Sequence, residues 1–79
     1  MKEAKKTQFE LEVVGIVKQW REKLGYTQES IALVLNVSKG FIGQIESPEN
    51  PSTYSLNHLN ILAKEFECSP RELMPEKSL

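Results

Sequence analysis

Apolar residues recur every third or fourth position along most of this chain, and no stretch alternates long enough for a strand. Val13, Ile16, Val17, Trp20 and Leu24 form one such stripe, which predicts a first helix. Its start is marked by Thr7 and, three places on, Glu10. That spacing makes a capping box, in which each side chain satisfies the other residue's backbone amide. Gly25 supplies the left-handed conformation that closes the helix. Thr27 is an N-cap for a second helix over Gln28–Leu35, with Ile31, Ala32 and Leu35 inward and Leu33 left outside the stripe. Asn36, which tolerates the left-handed region, ends it. Ser38 caps a third helix of about Lys39–Ser47, with Ile42 and Ile45 inward. The stretch SPENPSTY then interrupts all periodicity and reads as a surface loop. Ser55 caps a fourth helix carrying Leu56, Leu59, Leu62, Ala63 and Phe66. Ser69, Pro70 and Glu72 open a fifth, short one through a second capping box with proline in the first turn.

The pattern therefore predicts a compact all-α domain of five helices over residues 7–75. The polar start, residues 1–6, is expected to be frayed, and residues 76–79 form a short tail. With 79 residues there is room for one core. A hydrophobic content of 39% and a charged content of 27% are ordinary for a globular chain. No apolar run approaches the roughly 18 residues of a membrane span. MKEAKKTQFE has lysines without an apolar segment behind them, unlike a secretory signal. One cysteine, Cys68, cannot form an internal disulfide, so a reduced, cytoplasmic protein is expected.

A net charge of −1 argues against indiscriminate binding of polyanions. The charge is uneven, however. Between Val13 and Ile45, Lys18, Arg21, Lys23 and Lys39 outnumber Glu22 and Glu29. From Glu46 onward, six glutamates face Lys64, Arg71 and Lys77. An anionic partner is expected to meet the first half.

The second and third helices are joined by about three residues, so they must cross steeply and touch where a small side chain allows it. Ala32 is small, Asn36 makes the turn, and Ile42 and Ile45 return to the shared core. This spacing resembles the DNA-binding helix-turn-helix. Together with TQESIA, NVSKGFIGQIE, the polar loop, NILAKEF and CSPRELMP, it resembles the phage-repressor (Cro/C1-type, XRE) family of five-helix domains. The resemblance covers residues 13–75.

The family implies roles by position. Gln28, just after its cap, would hold a DNA phosphate with help from the helix amides. The third helix would lie in the major groove, with Ser38, Lys39, Gly40 and Phe41 reaching base edges and Gln44 one turn further on. Lysine suits the acceptors of guanine, and glutamine can pair with adenine. Phe41 presses on a thymine methyl or packs on its neighbours. Arg21 and Glu46 match an arginine–glutamate pair that would lock the third helix to the scaffold.

Two features depart from the family. Gly40 and Gly43 sit on the outer face of the third helix, each costing about 1 kcal/mol of helix stability against alanine. Either the helix backbone comes unusually close to bases, or the bared face packs on protein. The loop after this helix, often glycine- and lysine- or arginine-bearing in relatives, carries no positive charge here. Either phosphate contacts come from neutral donors, Asn50, Ser52, Tyr54, Ser55 and the amides opening the fourth helix, with a shallow salt dependence, or the two prolines simply stiffen the loop.

Trp20 and Phe66 are expected in the core, Cys68 as a small buried hydrophobe, and His58 on the polar side of the fourth helix. No cluster of cysteine, histidine or acidic residues suggests a metal, no cofactor is expected, and no nucleophile–base pair suggests an enzyme. The expectation is a transcriptional regulator, a repressor, binding double-stranded DNA as a homodimer through the C-terminal part, with Leu73, Met74 or the face of the last helices. The rival is the same fold binding a protein partner, as an interaction module or as an antitoxin- or restriction-controller-like regulator.

Overall fold

The computed structural model describes residues 5–79. Four α-helices follow in order: α1 (Gln8–Lys23), α2 (Gln28–Leu35), α3 (Lys39–Glu46) and α4 (Leu56–Phe66). A 3₁₀ turn, Pro70–Leu73, comes last. No strand occurs among the described residues. The expected fifth helix is thus a correction. Glu72 N–H donates to Ser69 O at 2.9 Å, and Met74 N–H to Arg71 O at 3.3 Å. With Pro75 close behind, the segment holds only the tighter i→i+3 bonding of such short pieces.

The helix starts follow local chemistry. Thr7 and Glu10 form their capping box, as do Ser69 and Glu72. Thr27 pairs in the same way with Ser30, and Ser55 with His58. Asn36 closes α2 at φ 59°, and Gly25 stands at φ 83° just beyond α1. Glu67 also occupies the left-handed region, at φ 59°, closing α4 without the usual glycine or asparagine.

Val17, Ile31, Ile42, Ile45, Leu62 and Leu73 are fully buried and form the centre of the core. Leu73 comes from the 3₁₀ turn, which packs on α4 and α1. Trp20 of α1 is half-buried and stacks on Phe66 of α4, with ring centroids 6.0 Å apart and planes within 6°. Tyr26 meets the same phenyl ring edge-on at 5.5 Å, while its hydroxyl donates to Glu65 at 2.6 Å. Three positions behave differently from the pattern: Val14 joins the core, while Leu24 and Leu56 are exposed. Leu33, left outside the stripe, is exposed on α2 as expected. Leu56 is the first residue of α4, where the chain has only just turned from the loop.

The expected fraying also needs revision. Residues 1–4 lie outside the described residues, but Lys6 is only 7% exposed. Its ammonium donates to the carbonyl oxygens of Ser47 and Asn50. No described helix is long and apolar enough to cross a membrane.

Candidate nucleic-acid interface

The turn between α2 and α3 is Asn36–Val37–Ser38. Val37 N–H bonds Ala32 O at 2.9 Å, which holds the turn against α2. Ser38 Oγ accepts from Phe41 N–H at 3.1 Å and fixes the entry to α3. The inner face of α3 is anchored by Ile42 and Ile45, neither of which has solvent exposure. Its outer face follows by elimination: Ser38, Lys39, Gly40 and Gln44 are exposed, and Gly43 is half-buried. A methyl group built on Gly43 would meet nothing within 4 Å, and one on Gly40 only Ser38 Oγ at 3.9 Å. The bareness of this face is therefore not required by packing within the chain.

Phe41 is half-buried and lies against the core. Its ring meets His58 edge-on at 6.3 Å, and His58 in turn meets Tyr54 at 6.2 Å. His58 is therefore not simply on the polar side of α4. Its Nδ1 accepts from Ser55 N–H at 3.1 Å, so histidine completes the cap. An S-x-x-H spacing was the only local signal for this, and glutamate is the usual residue there.

The end of α3 is held by a polar cluster. Arg21 Nε donates to Glu46 Oε2 at 2.9 Å, and Arg21 Nη2 to Glu46 Oε1 at 3.1 Å. Arg21 Nη1 reaches Tyr26 O at 3.0 Å. Both side chains are largely withdrawn from solvent, at 11% and 6% exposure. Gln28 joins them: its Nε2 donates to Glu46 Oε1 at 2.9 Å. A primary amide has two N–H donors, so one remains for a phosphate. An open hollow of about 480 Å³ lies beside it, lined by Arg21, Tyr26, Thr27, Gln28, Glu29 and Lys39.

One loop residue, Tyr54, does not serve as expected. Tyr54 is 6% exposed and its hydroxyl is buried without a hydrogen-bond partner. It cannot reach a phosphate from the core, contrary to the expected contact. Burial and, secondarily, the Glu46 charge push its pKa far up; the Arg21 charge opposes them. Asn50 is half-buried, and its Oδ1 accepts from Ser52 N–H at 2.9 Å. Its amide nitrogen alone is left for a ligand. The structure also brings Lys5 to this loop, with Nζ 2.7 Å from Glu49 Oε1. Cys68 is half-buried; burial raises its pKa, with Glu72 adding to the effect, which disfavours the nucleophilic thiolate. No group of three or more metal-ligating side chains occurs among the described residues.

The HTH_3 helix-turn-helix family model matches residues 17–73. The chain belongs to the HTH_3 family. Its α2–turn–α3 unit is thus the helix-turn-helix of a DNA-binding regulator fold, as the XRE-type resemblance implied. Among solved structures, an HTH_3 family transcriptional regulator from Vibrio cholerae superposes with a TM-score of 0.66 at 28% identity. The match covers 82% of this chain and 35% of that one, so this chain spans about a third of that regulator. The restriction-modification controller protein C.AhdI from Aeromonas hydrophila superposes with a TM-score of 0.67 at 23% identity, over 81% of this chain and 94% of that one. That second likeness establishes the HTH_3 fold and no more. A search of curated proteins finds no match.

Proposed function

We propose that this HTH_3 domain binds duplex DNA sequence-specifically and acts as a transcriptional repressor. The observation that carries this reading is the division of α3. Ile42 and Ile45 bury one face, while Lys39, Gly40 and Gln44 present the other to solvent. A helix held in this way fits the major groove, with its first turn at base edges. Lys39 and Gln44 supply the donor and donor–acceptor groups, and Ser38 keeps a hydroxyl proton to donate. Gln28 and the amides opening α2 would take the neighbouring phosphate, and the nitrogen of Asn50 a second.

One domain with so few cations needs a second copy for useful affinity. A homodimer on half-sites about 34 Å apart would provide it, acting in the cytoplasm. Leu73 cannot form that dimer's surface, because it is fully buried in the core.

A second reading is favoured by the same bare helix. Gly40 and Gly43 leave a face on which a protein partner could pack, as in an interaction module or a regulator that binds both DNA and protein. Selection of bound duplexes from a randomised pool, at low and physiological salt, separates the two. An enriched inverted repeat supports the dimeric repressor. Binding that vanishes with salt and enriches nothing rejects base reading and favours the protein partner.

A further inference from the structure

The third helix has only eight residues, and two of them are glycine. Its intrinsic stability is poor, so its direction must be held from outside. The N-cap Ser38 and the Arg21–Glu46 pair account for two restraints. The third comes from the N-terminal segment, outside residues 17–73 of the family match.

Lys6 Nζ donates to Ser47 O at 2.6 Å and to Asn50 O at 2.5 Å, bridging 41 and 44 residues of chain. Ser47 is the C-cap of α3. A helix ends with unpaired carbonyls and a partial negative charge, and α3 has no basic residue in its own last turn. The buried ammonium supplies both the donors and the charge. Among the described residues no carboxylate lies within ion-pair distance of Lys6, so backbone carbonyls hold it. Ser47 O also accepts from Asn50 N–H at 3.2 Å, and Asn50 Oδ1 fixes Ser52. One lysine thereby ties the helix end to a turn that is already self-bonded.

We propose that Lys6 is a positioning residue for base reading: it sets the direction of α3 and the 47–50 turn, making the N-terminal segment part of the reading unit. The role rests on the DNA-binding reading above. A helix that tilts loses base-edge contacts, which are directional, before it loses phosphate contacts, which are not. Specificity should therefore suffer more than affinity.

The test uses the full chain with Lys6→Met, which keeps the stem and removes the donors, and Lys6→Arg, which restores them. Affinities for a selected duplex and for a scrambled one are measured over a range of salt, and amide exchange is followed at Asn50. Lys6→Met should lose about tenfold in the ratio of selected to scrambled binding, the size of one lost base-pair contact. Its salt slope should stay unchanged, Asn50 N–H should exchange faster, and Lys6→Arg should recover most of the ratio. An unchanged ratio overturns the proposal. So does a slope shallower by about 0.9, because that marks a phosphate contact instead of positioning. If Lys6→Met melts below the assay temperature, both chains are assayed below its melting point and the same ratio decides. If the unaltered protein prefers no duplex, the DNA reading itself has failed and this role with it. Asn50 exchange without DNA then still reports whether Lys6 orders the turn.

Discussion

The guanidinium of Arg21 grips both carboxylate oxygens of Glu46, at 2.9 and 3.1 Å, and joins the end of α1 to the last residue of α3. The pair is buried, so removing one partner strands the other charge away from water. Arg21→Met or Glu46→Leu alone should cost about 3–5 kcal/mol in urea denaturation, whereas the double substitution should cost much less. A double variant no more stable than the weaker single would show that the pair is net stabilising.

Tyr54 carries a different kind of buried polarity, a hydroxyl with no partner. Tyr54→Phe should raise stability by about 1–3 kcal/mol, the cost of an unsatisfied buried group. The same burial raises the phenol's folded-state pKa. Above pH of about 10 the unfolded tyrosine loses its proton while the folded one keeps it. The unfolded state then binds fewer protons, so stability falls with rising pH by about 1.4 kcal/mol per unit for this group. Thermal melts from pH 9 to 11 should show that alkaline loss in the native chain and a flatter limb in Tyr54→Phe.

Gly43→Ala separates the two uses of the bare face. Nothing lies within 4 Å of the added methyl, so the helix should gain about 1 kcal/mol by circular dichroism melting. If bases approach the backbone here, the more stable variant should nonetheless bind its selected duplex more weakly. Retained or improved DNA affinity would argue that this glycine does not face DNA.

Lys39 stands exposed at the first position of α3. Acting on a guanine, Lys39→Ala should relax the preference at one position of the half-site and cost about 1–3 kcal/mol there. Acting on a phosphate, it should weaken all duplexes alike and reduce the salt slope by about 0.9. Titrations on a panel of single-position variants of the selected site decide between them.

The four α-helices and their capped starts were legible in the chain because capping is chemistry between residues three apart. Thr7 with Glu10 and Ser69 with Glu72 are examples that need no tertiary contact. The three-residue turn at Asn36 and the two buried isoleucines of α3 were legible for the same reason: spacing along a helix dictates facing. The short final element was misjudged in type, since its caps were readable but its length was too small for i→i+4 bonding.

Local pattern thus determined where each helix starts and most of the residues that line it, and family resemblance matched Arg21 to Glu46. Only the tertiary structure decided what lies across from what. It drew Tyr54 from the loop into the core, set His58 between Phe41 and Tyr54, and gave one amide proton of Gln28 to Glu46. It also brought Lys6 to the end of a helix more than forty residues away. Such partners leave no periodic trace, because a buried donor must find an acceptor wherever the packed chain happens to present one.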